Sequence, residues 1–457
     1  MYTLDDTIAA ISTPLGQGGI GIVRLSGDEA LPIARRLFRS ARRQGKNDRI
    51  APNRLVYGHI VAPETGRVVD EVLLSYMKAP HTYTRQDVVE INAHGGIMPL
   101  REILSLCLGE GARLAREGEF TLRAFLNGRL DLAQAEAVLD IITAKTEAAL
   151  HVAMGQLGGQ LSARVRQIRA ALLQVLAYLE ATVDFPEEDI PFQDIAPELA
   201  HAEEELAELL RESERGIIYR QGVRTALVGR PNVGKSSLLN ALLRTDRAIV
   251  TPIPGTTRDT LEETLNLQGI PLVLVDTAGI DHTEDVIERL GVERSRRAIA
   301  QADLVLLVLD GSEPPSAADR QVAALTAERP TVVVENKSDL PRAAGLEAVL
   351  PRAPHVAVSA LTGEGIPSLE AALIETILAG RVTVSDAPVS SNPRHRELFE
   401  RARQHVIEAQ RALLEDTPND LIAIDVSEAV AALGEVTGET ASEELLATIF
   451  SNFCIGK

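Results

Sequence analysis

Hydrophobic positions change rhythm several times along the chain. Up to about residue 119 they come as short apolar runs and alternations, over 7–11, 20–24, 54–61, 68–76 and 88–91. Such runs, bounded by Gly and Pro, predict strands, and the Pro63-Glu-Thr-Gly66 turn between two of them predicts a hairpin. His94-Gly-Gly96 then leads into a helical stretch. From about 120 the texture turns rich in Ala, Leu, Gln and Arg, and apolar residues over 130–182 repeat at helical spacing. An acidic, proline-broken loop over 186–194 precedes a polar helix predicted over 196–215. Between 217 and 380 five apolar strand candidates alternate with helices, a doubly wound pattern. After a loop over 383–393, helices resume to the C-terminus. The pattern predicts a multidomain chain: an α+β domain over 1–119, an all-α domain over 120–216 and 381–457, and an α/β domain over 217–380 inserted into the helical one. Such an insertion requires the chain near Gly216 and Gly380 to lie close in space.

The inserted region carries the clearest chemistry. Gly229-Arg-Pro-Asn-Val-Gly-Lys-Ser236 matches the phosphate-binding P-loop and stands between a predicted strand and a predicted helix. That context aims backbone N–H groups at an anion. Asn232, Val233, Gly234, Lys235, Ser236 and Ser237 would wrap the phosphates, with Lys235 neutralising them and the Ser236 hydroxyl on Mg²⁺. Asn336-Lys337-Ser338-Asp339 follows an apolar run, and a carboxylate there accepts both N1–H and the exocyclic amine of guanine. Adenine lacks that donor pair and would leave the carboxylate unsatisfied. Ser359, Ala360 and Leu361 end a further strand candidate and would offer a backbone N–H to the guanine oxygen. Asp276-Thr277-Ala278-Gly279 supplies a carboxylate for the Mg²⁺ shell and an N–H for the γ-phosphate. The predicted ligand is GTP with Mg²⁺, and the inserted unit reads as a P-loop GTPase domain.

Ras-type enzymes place a water-orienting Gln after that glycine, whereas Ile280 stands here. Thr251, Pro252, Ile253, Pro254, Gly255, Thr256 and Thr257 form the predicted first switch, with Thr257 as the second Mg²⁺ ligand. Together with Asn232 they make a collar rich in oxygen atoms. A monovalent cation site and a plain turn both fit that composition.

These motifs, with Gly255-Thr-Thr-Arg-Asp-Thr260 and the terminal Cys454-Ile-Gly-Lys457, resemble the MnmE (TrmE) family of tRNA modification GTPases, over the whole chain. Ribosome-assembly GTPases of the Era and Der type share the nucleotide motifs but not the terminal Cys-x-Gly-Lys. A folate-binding scaffold with a vestigial GTPase is disfavoured by the intact Lys235, Asp276 and Asp339. The resemblance implies a K⁺-activated GTPase with K⁺ on Asn232, Thr251, Ile253 and Thr256. It implies that Glu288 orients the attacking water and that the chain is a homodimer whose G domains pair across their nucleotide faces. It also implies a tetrahydrofolate one-carbon donor held by Arg24, Glu90, Arg129 and Lys457, with Cys454 needed for modification. A carboxylate suits the donor pair of a pterin, and cations suit the folate carboxylates. Arg129 departs from the family, which has Lys at that position. The implied partners are the FAD-carrying flavoprotein MnmG and tRNA, modified at C5 of the wobble uridine.

Composition sets the outer bounds. A chain of 457 residues suggests about three domains. No apolar run reaches membrane-spanning length, and the opening Met1-Tyr-Thr-Leu-Asp-Asp6 is acidic where a targeting peptide would be basic. Cys107 and Cys454 are the two cysteines, too few for a disulfide framework, so a cytoplasmic location and no membrane association are expected. A net charge of −19 opposes holding tRNA by bulk attraction, so a partner would carry much of that binding. The basic cluster from Arg35 to Arg49 reads as a solvated helix face and loop. Thr440-Ala-Ser-Glu443 predicts a capping box on the last helix. Gly456 predicts a flexible tail that this helix delivers to a cleft.

Overall fold

The computed structural model describes residues 5–41, 50–185, 187, 190–245, 264–275, 296–378 and 390–457. Its N-terminal part is built on seven strands: β1 Ile8–Ile11, β2 Gly18–Ser26, β3 Phe38–Ser40, β4 Leu55–Val61, β5 Val68–Met77, β6 Val88–Gly95 and β7 Arg113–Leu114. They form one sheet in the order β3-β4-β5-β6-β2-β1-β7. The predicted hairpin is the antiparallel β4–β5 pair. Alternation buries one face of the longer strands β2, β4, β5 and β6. Val23, Leu25, Ile60, Leu74 and Ile91 pack there against Ile33 and Leu37 of helix Ala30–Leu37 and against Leu100 and Ile103 of helix Ile97–Gly109.

The helical part combines segments from both sides of the insertion. Helices Gln160–Asp184, Ala196–Gln221, Pro393–Leu414 and Asn419–Thr437 share a core that includes Leu172, Leu179, Leu206, Phe399, Val406, Val426 and Leu433. Burying each such side chain contributes roughly 1.5–3 kcal/mol, far more than helix propensity provides on these polar sequences. The stretch over 130–182 divides into helices Leu132–Thr143, Glu147–Leu157 and Gln160–Asp184. Helix Ala196–Gln221 runs six residues beyond its predicted end. Gly216 does not break it because the glycine is needed for packing: a Cβ there would lie 1.9 Å from the Ser390 carbonyl oxygen. The chain running into the inserted domain and the chain returning from it therefore touch at Gly216 and Ser390.

The inserted domain has β8 Val223–Val228, β9 Thr264–Leu267, β10 Ile270–Val275, β11 Leu304–Asp310, β12 Thr331–Asn336 and β13 His355–Val358, ordered β13-β12-β11-β8-β10-β9. Five strands are parallel, and their central members are apolar on both faces because helices cover both sides. The sixth, β9, was not among the five predicted. It pairs antiparallel with β10 through a tight turn at Gln268 and Gly269, both with positive φ. Its four-residue run is too short to announce itself in sequence.

Candidate functional site

Two clefts collect the predicted residues that the structure describes. The first lies at the C-terminal ends of the inserted domain's strands, where an α/β sheet presents its loops. β8 runs into the Gly229 loop, and helix Lys235–Thr245 follows. Gly229 has φ +151 and a Cβ there would meet the Val308 carbonyl at 2.3 Å, so the loop passes over β11 with no room for a side chain. Gly234 has φ +94 and a Cβ there would meet Asn336 Nδ2 at 2.2 Å. The space is taken because Asn336 ties the loops together: Nδ2 donates to the Val233 carbonyl at 2.7 Å and Oδ1 accepts from Ala360 N–H at 3.1 Å. Lys235 Nζ donates to the carbonyls of Gly229 and Arg230 at 2.9 and 2.8 Å, and burial lowers its pKa.

On the base side of this cleft, Ser359 Oγ donates to Asp339 Oδ1 at 2.6 Å and Ser338 N–H donates to the Val358 carbonyl at 3.0 Å. Gly234, Ser237, Asn336, Lys337, Asp339, Ala360 and Leu361 all line the same open cleft. Asp310, at the end of β11, was missed in the sequence. Its Oδ2 pairs with Lys337 Nζ at 2.5 Å, while its Oδ1 accepts from Ser312 N–H at 3.0 Å. Burial opposes the charged form of Asp310, but the bonds from Lys337 and Ser312 hold its pKa below the usual range. Asp310 could have been found as a carboxylate ending a fully buried strand, the same signal that singled out Asp276. Ser236 lies in the first turn of helix Lys235–Thr245. Thr251, Pro252, Ile253, Pro254, Gly255, Thr256, Thr257, Asp276, Thr277, Ala278, Gly279 and Glu288 lie outside the described residues. Among the described residues no group of three or more His, Cys, Asp or Glu side chains forms a metal cage.

The second cluster, termed a cleft for the ligand that would fill it, lies on the N-terminal sheet. Arg24 of β2 and Glu90 of β6 face each other across the strands, and Arg24 Nε donates to Glu90 Oε1 at 2.9 Å. Arg24 NH2 lies 2.9 Å from that same oxygen, so Oε2 is not used by the pair. The guanidinium lies 5.7 Å from the centre of the Phe120 ring. Arg24 NH1 also donates to the Gly456 carbonyl at 3.3 Å, which brings the C-terminus to this cleft. The tail is docked rather than flexible. Ile455 bridges Glu117, Phe120 N–H donates to the Lys457 oxygen at 3.2 Å, and Gly456 takes φ +94 where a Cβ would meet the Ile11 carbonyl at 2.5 Å. Gly456 thus serves close approach, not freedom. Cys454 remains exposed.

Arg129 lies 4.8 Å over the ring of Tyr83, whose hydroxyl meets Thr121 Oγ1 at 2.9 Å. Burial raises the Tyr83 pKa, and the charges of Arg129 and Arg24 oppose that rise. Phe120 and Tyr83, the aromatic supports beneath the two arginines, were not predicted. No local spacing marks them, since each meets its arginine only through the fold. The last helix, Glu443–Phe450, is capped by Ser442, whose side chain accepts from Leu445 N–H at 3.2 Å. The predicted capping box at Thr440 and Glu443 is therefore corrected. Thr440 Oγ1 instead donates to the Ala431 carbonyl, because the preceding helix ends close by.

Comparison with known proteins gives matches along the chain. Residues 7–129 match the family described as the GTP-binding protein TrmE N-terminus, and residues 132–454 match the MnmE helical domain. A protein of Chloroflexus aurantiacus named tRNA modification GTPase MnmE is 51% identical over 461 residues, covering 99% of this chain and 100% of that protein. Proteins of the same name from Roseiflexus castenholzii and Geobacillus thermodenitrificans are 51% and 49% identical, each covering 99% of both chains.

Proposed function

The chain belongs to the MnmE family of tRNA modification GTPases, and on that premise we propose how its residues serve that activity. The chain hydrolyses GTP and takes part in tRNA modification. More specifically, it is the K⁺-activated subunit that works with the flavoprotein MnmG. Together they install a carboxymethylaminomethyl or aminomethyl group at C5 of the wobble uridine, with a tetrahydrofolate derivative as one-carbon donor. It acts as a homodimer in the cytoplasm, with FAD bound by the partner. No helix among the described residues is long and apolar enough to cross a membrane. We divide the chain into a folate-binding domain over 1–119, a helical domain over 120–216 and 381–457, and a G domain over 217–380.

In the first cleft Lys235 exchanges two neutral carbonyl partners for phosphate oxygens, a stronger, charge-assisted pairing. Asn336 holds the P-loop against the base-reading loop, and Asp339 accepts both guanine donors. Ser236 and Thr257 would hold Mg²⁺, which would supply neutralisation of the charge on the phosphates. Asn232, Thr251, Ile253 and Thr256 would hold K⁺, which would supply the positive charge that an arginine finger gives other GTPases, and Glu288 would orient water in the absence of a glutamine at position 280. In the second cleft Glu90 binds the pterin donor pair, while Arg24, Arg129 and Lys457 receive the folate carboxylates.

The observation that carries this reading is the docking of Cys454-Ile-Gly-Lys457 against Arg24. A chain with a GTP cleft would have no evident use for such a tail in ribosome assembly. The test compares the chain and its Cys454→Ser variant in one set of preparations. GTP turnover should be fast in K⁺, slow in Na⁺ and unaffected by the substitution. Modified wobble uridine, measured by mass analysis of tRNA from complemented deletion cells, should be lost in the variant. Wild-type modification by Cys454→Ser, or equal turnover in both salts, contradicts the respective part.

A further inference from the structure

Among the described residues, one helix touches both the C-terminal segment and the chain that joins the inserted domain to the helical one. Helix Leu132–Thr143 packs Leu132 and Ala135 against Leu122 and against Leu446, Phe450 and Phe453 of the C-terminal segment, directly before Cys454. From the same helix, Glu136 and Asp140 grip both strands of chain that join the inserted domain to the helical one. Asp140 Oδ1 lies 2.7 Å from Nε of Arg220, two residues before Gly222 leads into β8. Asp140 Oδ2 accepts from Ser391 Oγ at 3.4 Å. Glu136 receives Arg394 through both carboxylate oxygens, at 3.0 and 2.6 Å, and receives Asn392 Nδ2 at 2.8 Å and His395 Nε2 at 2.8 Å.

These are buried charges. Burial works against the Glu136 carboxylate, yet its pairs with His395 and Arg394 hold its pKa at about 2. His395 is wholly buried, and burial pushes its pKa below the ordinary imidazole value against the pull of Glu136. Asp140 is different. Burial pushes its pKa up to about 6 in spite of Arg220, so its hold on the incoming chain is the weaker of the two. A helix packed only for stability would not need two acids inside, because apolar residues of similar volume are often neutral or better.

A third contact comes from the inserted domain itself. Thr146, three residues beyond this helix, donates from Oγ1 to the Gly269 carbonyl at 2.8 Å, and a Cβ on Gly269 would lie 2.9 Å from the Ala148 side chain. Gly269 is the tip of the β9–β10 turn. In sequence, β9 follows the Thr251–Thr257 stretch and β10 runs directly into Asp276. The strand pair joining the two proposed nucleotide-sensing segments thus rests its tip on the N-cap and first turn of helix Glu147–Leu157, which directly follows the helix that supports the tail.

We propose that Glu136 and Asp140 are positioning residues through which the nucleotide state of the inserted domain sets the placement of the Cys454–Lys457 tail. The helix is about three turns long and packed along adjoining faces, so a shift of the Arg220 and Ser391 chains acts on it directly, and a shift of the Gly269 tip reaches it through Thr146 and the short link to the next helix. Leu132 and Ala135, on the adjoining face of the same helix, then carry Phe450 and Phe453, and with them the tail. The role in modification rests on the function proposed above, but the coupling itself does not.

The exposed Cys454 reports on the tail directly, since Cys107 is buried. The full-length chain is loaded with GDP or with a non-hydrolysable GTP analogue, and the rate of Cys454 alkylation by a maleimide is followed. The two states should differ by about fivefold or more, the size of an ordinary allosteric coupling. Asp140→Asn keeps shape and should bring the two rates together while nucleotide affinity and GTP turnover stay at wild-type values. Thr146→Val, which removes the bond to Gly269 and the N-cap bond from Ala149 N–H but no charge, should narrow the difference in part, and Thr146→Asn, which restores the cap, separates loss of the Gly269 bond from loss of the cap. A wild-type chain whose thiol reacts equally in both states overturns the proposal. So does a nucleotide-dependent rate that persists in Asp140→Asn and in Thr146→Val. Modified uridine measured on the same variants separates failure of the coupling from failure of the functional reading.

Discussion

The GTP cleft and the tail cleft are built from opposite materials. The first is mostly backbone: glycines at 229 and 234 clear the way, and Asn336 bonds to main-chain atoms on both sides. The second is mostly side chain. Arg24, Glu90, Phe120, Tyr83 and Arg129 meet through ion pairs and ring faces, and the last residues of the chain close the cleft. Backbone sites are set by short motifs and fail all at once when a keystone is removed. Side-chain sites are pieced together from distant strands and should fail by degrees.

The strongest test of that contrast is Asp339→Asn. An amide cannot accept both guanine donors, and hydrogen bonds to a charged group contribute about 1.5–3 kcal/mol each. GTP affinity by calorimetry should fall by about a hundredfold or more. Xanthosine triphosphate, whose 2-oxo group accepts from the new amide, should gain. Unchanged GTP binding would remove Asp339 from the base site.

Glu90→Ala should come next. It removes the acceptor proposed for the pterin and leaves Arg24 without its cross-strand partner. Calorimetry with a formyl-tetrahydrofolate should show roughly tenfold weaker binding, the loss of one charge-assisted hydrogen bond. GTP affinity should not move. A variant that binds the folate normally would break the assignment of this cleft.

Supporting residues sharpen the comparison. Asp310→Asn takes the charged partner from Lys337 and should cost several-fold in GTP affinity, about 1 kcal/mol. Gel filtration and thermal melting should remain those of the wild type, since Ser312 can still bond the amide oxygen. A loss as large as that of Asp339→Asn would mean that Asp310 shapes the cleft and does not merely place the lysine.

The smallest effect is expected at Tyr83. Replacing it by Leu removes the ring beneath Arg129, and an exposed cation–π contact contributes about 0.5–1 kcal/mol. Folate affinity should weaken by about two- to fivefold. Tyr83→Phe keeps the ring and should retain wild-type affinity. If the Phe variant is as weak as the Leu variant, the hydroxyl bond to Thr121 matters more than the ring.

The sequence by itself determined the three textures of the chain and, Asp310 excepted, the residues named in the described GTP cleft. Those features are local. Strand and helix periods repeat within ten residues, and the Gly229–Ser236 and Asn336–Asp339 motifs place their own backbone. Sequence likewise predicted that the last residues reach a cleft, through family resemblance and not through spacing. Tertiary structure alone decided the rest. It extended helix Ala196–Gln221 past Gly216, because Ser390 packs against that glycine. It moved the last helix's cap from Thr440 to Ser442 and turned a tail read as flexible into a docked one. It also gathered Glu136 and Asp140 with Arg220, Ser391 and Arg394, residues up to 258 positions apart in sequence. Their charges make sense only as pairs, and pairing across such separations is settled when the two halves of the helical domain close around the inserted one.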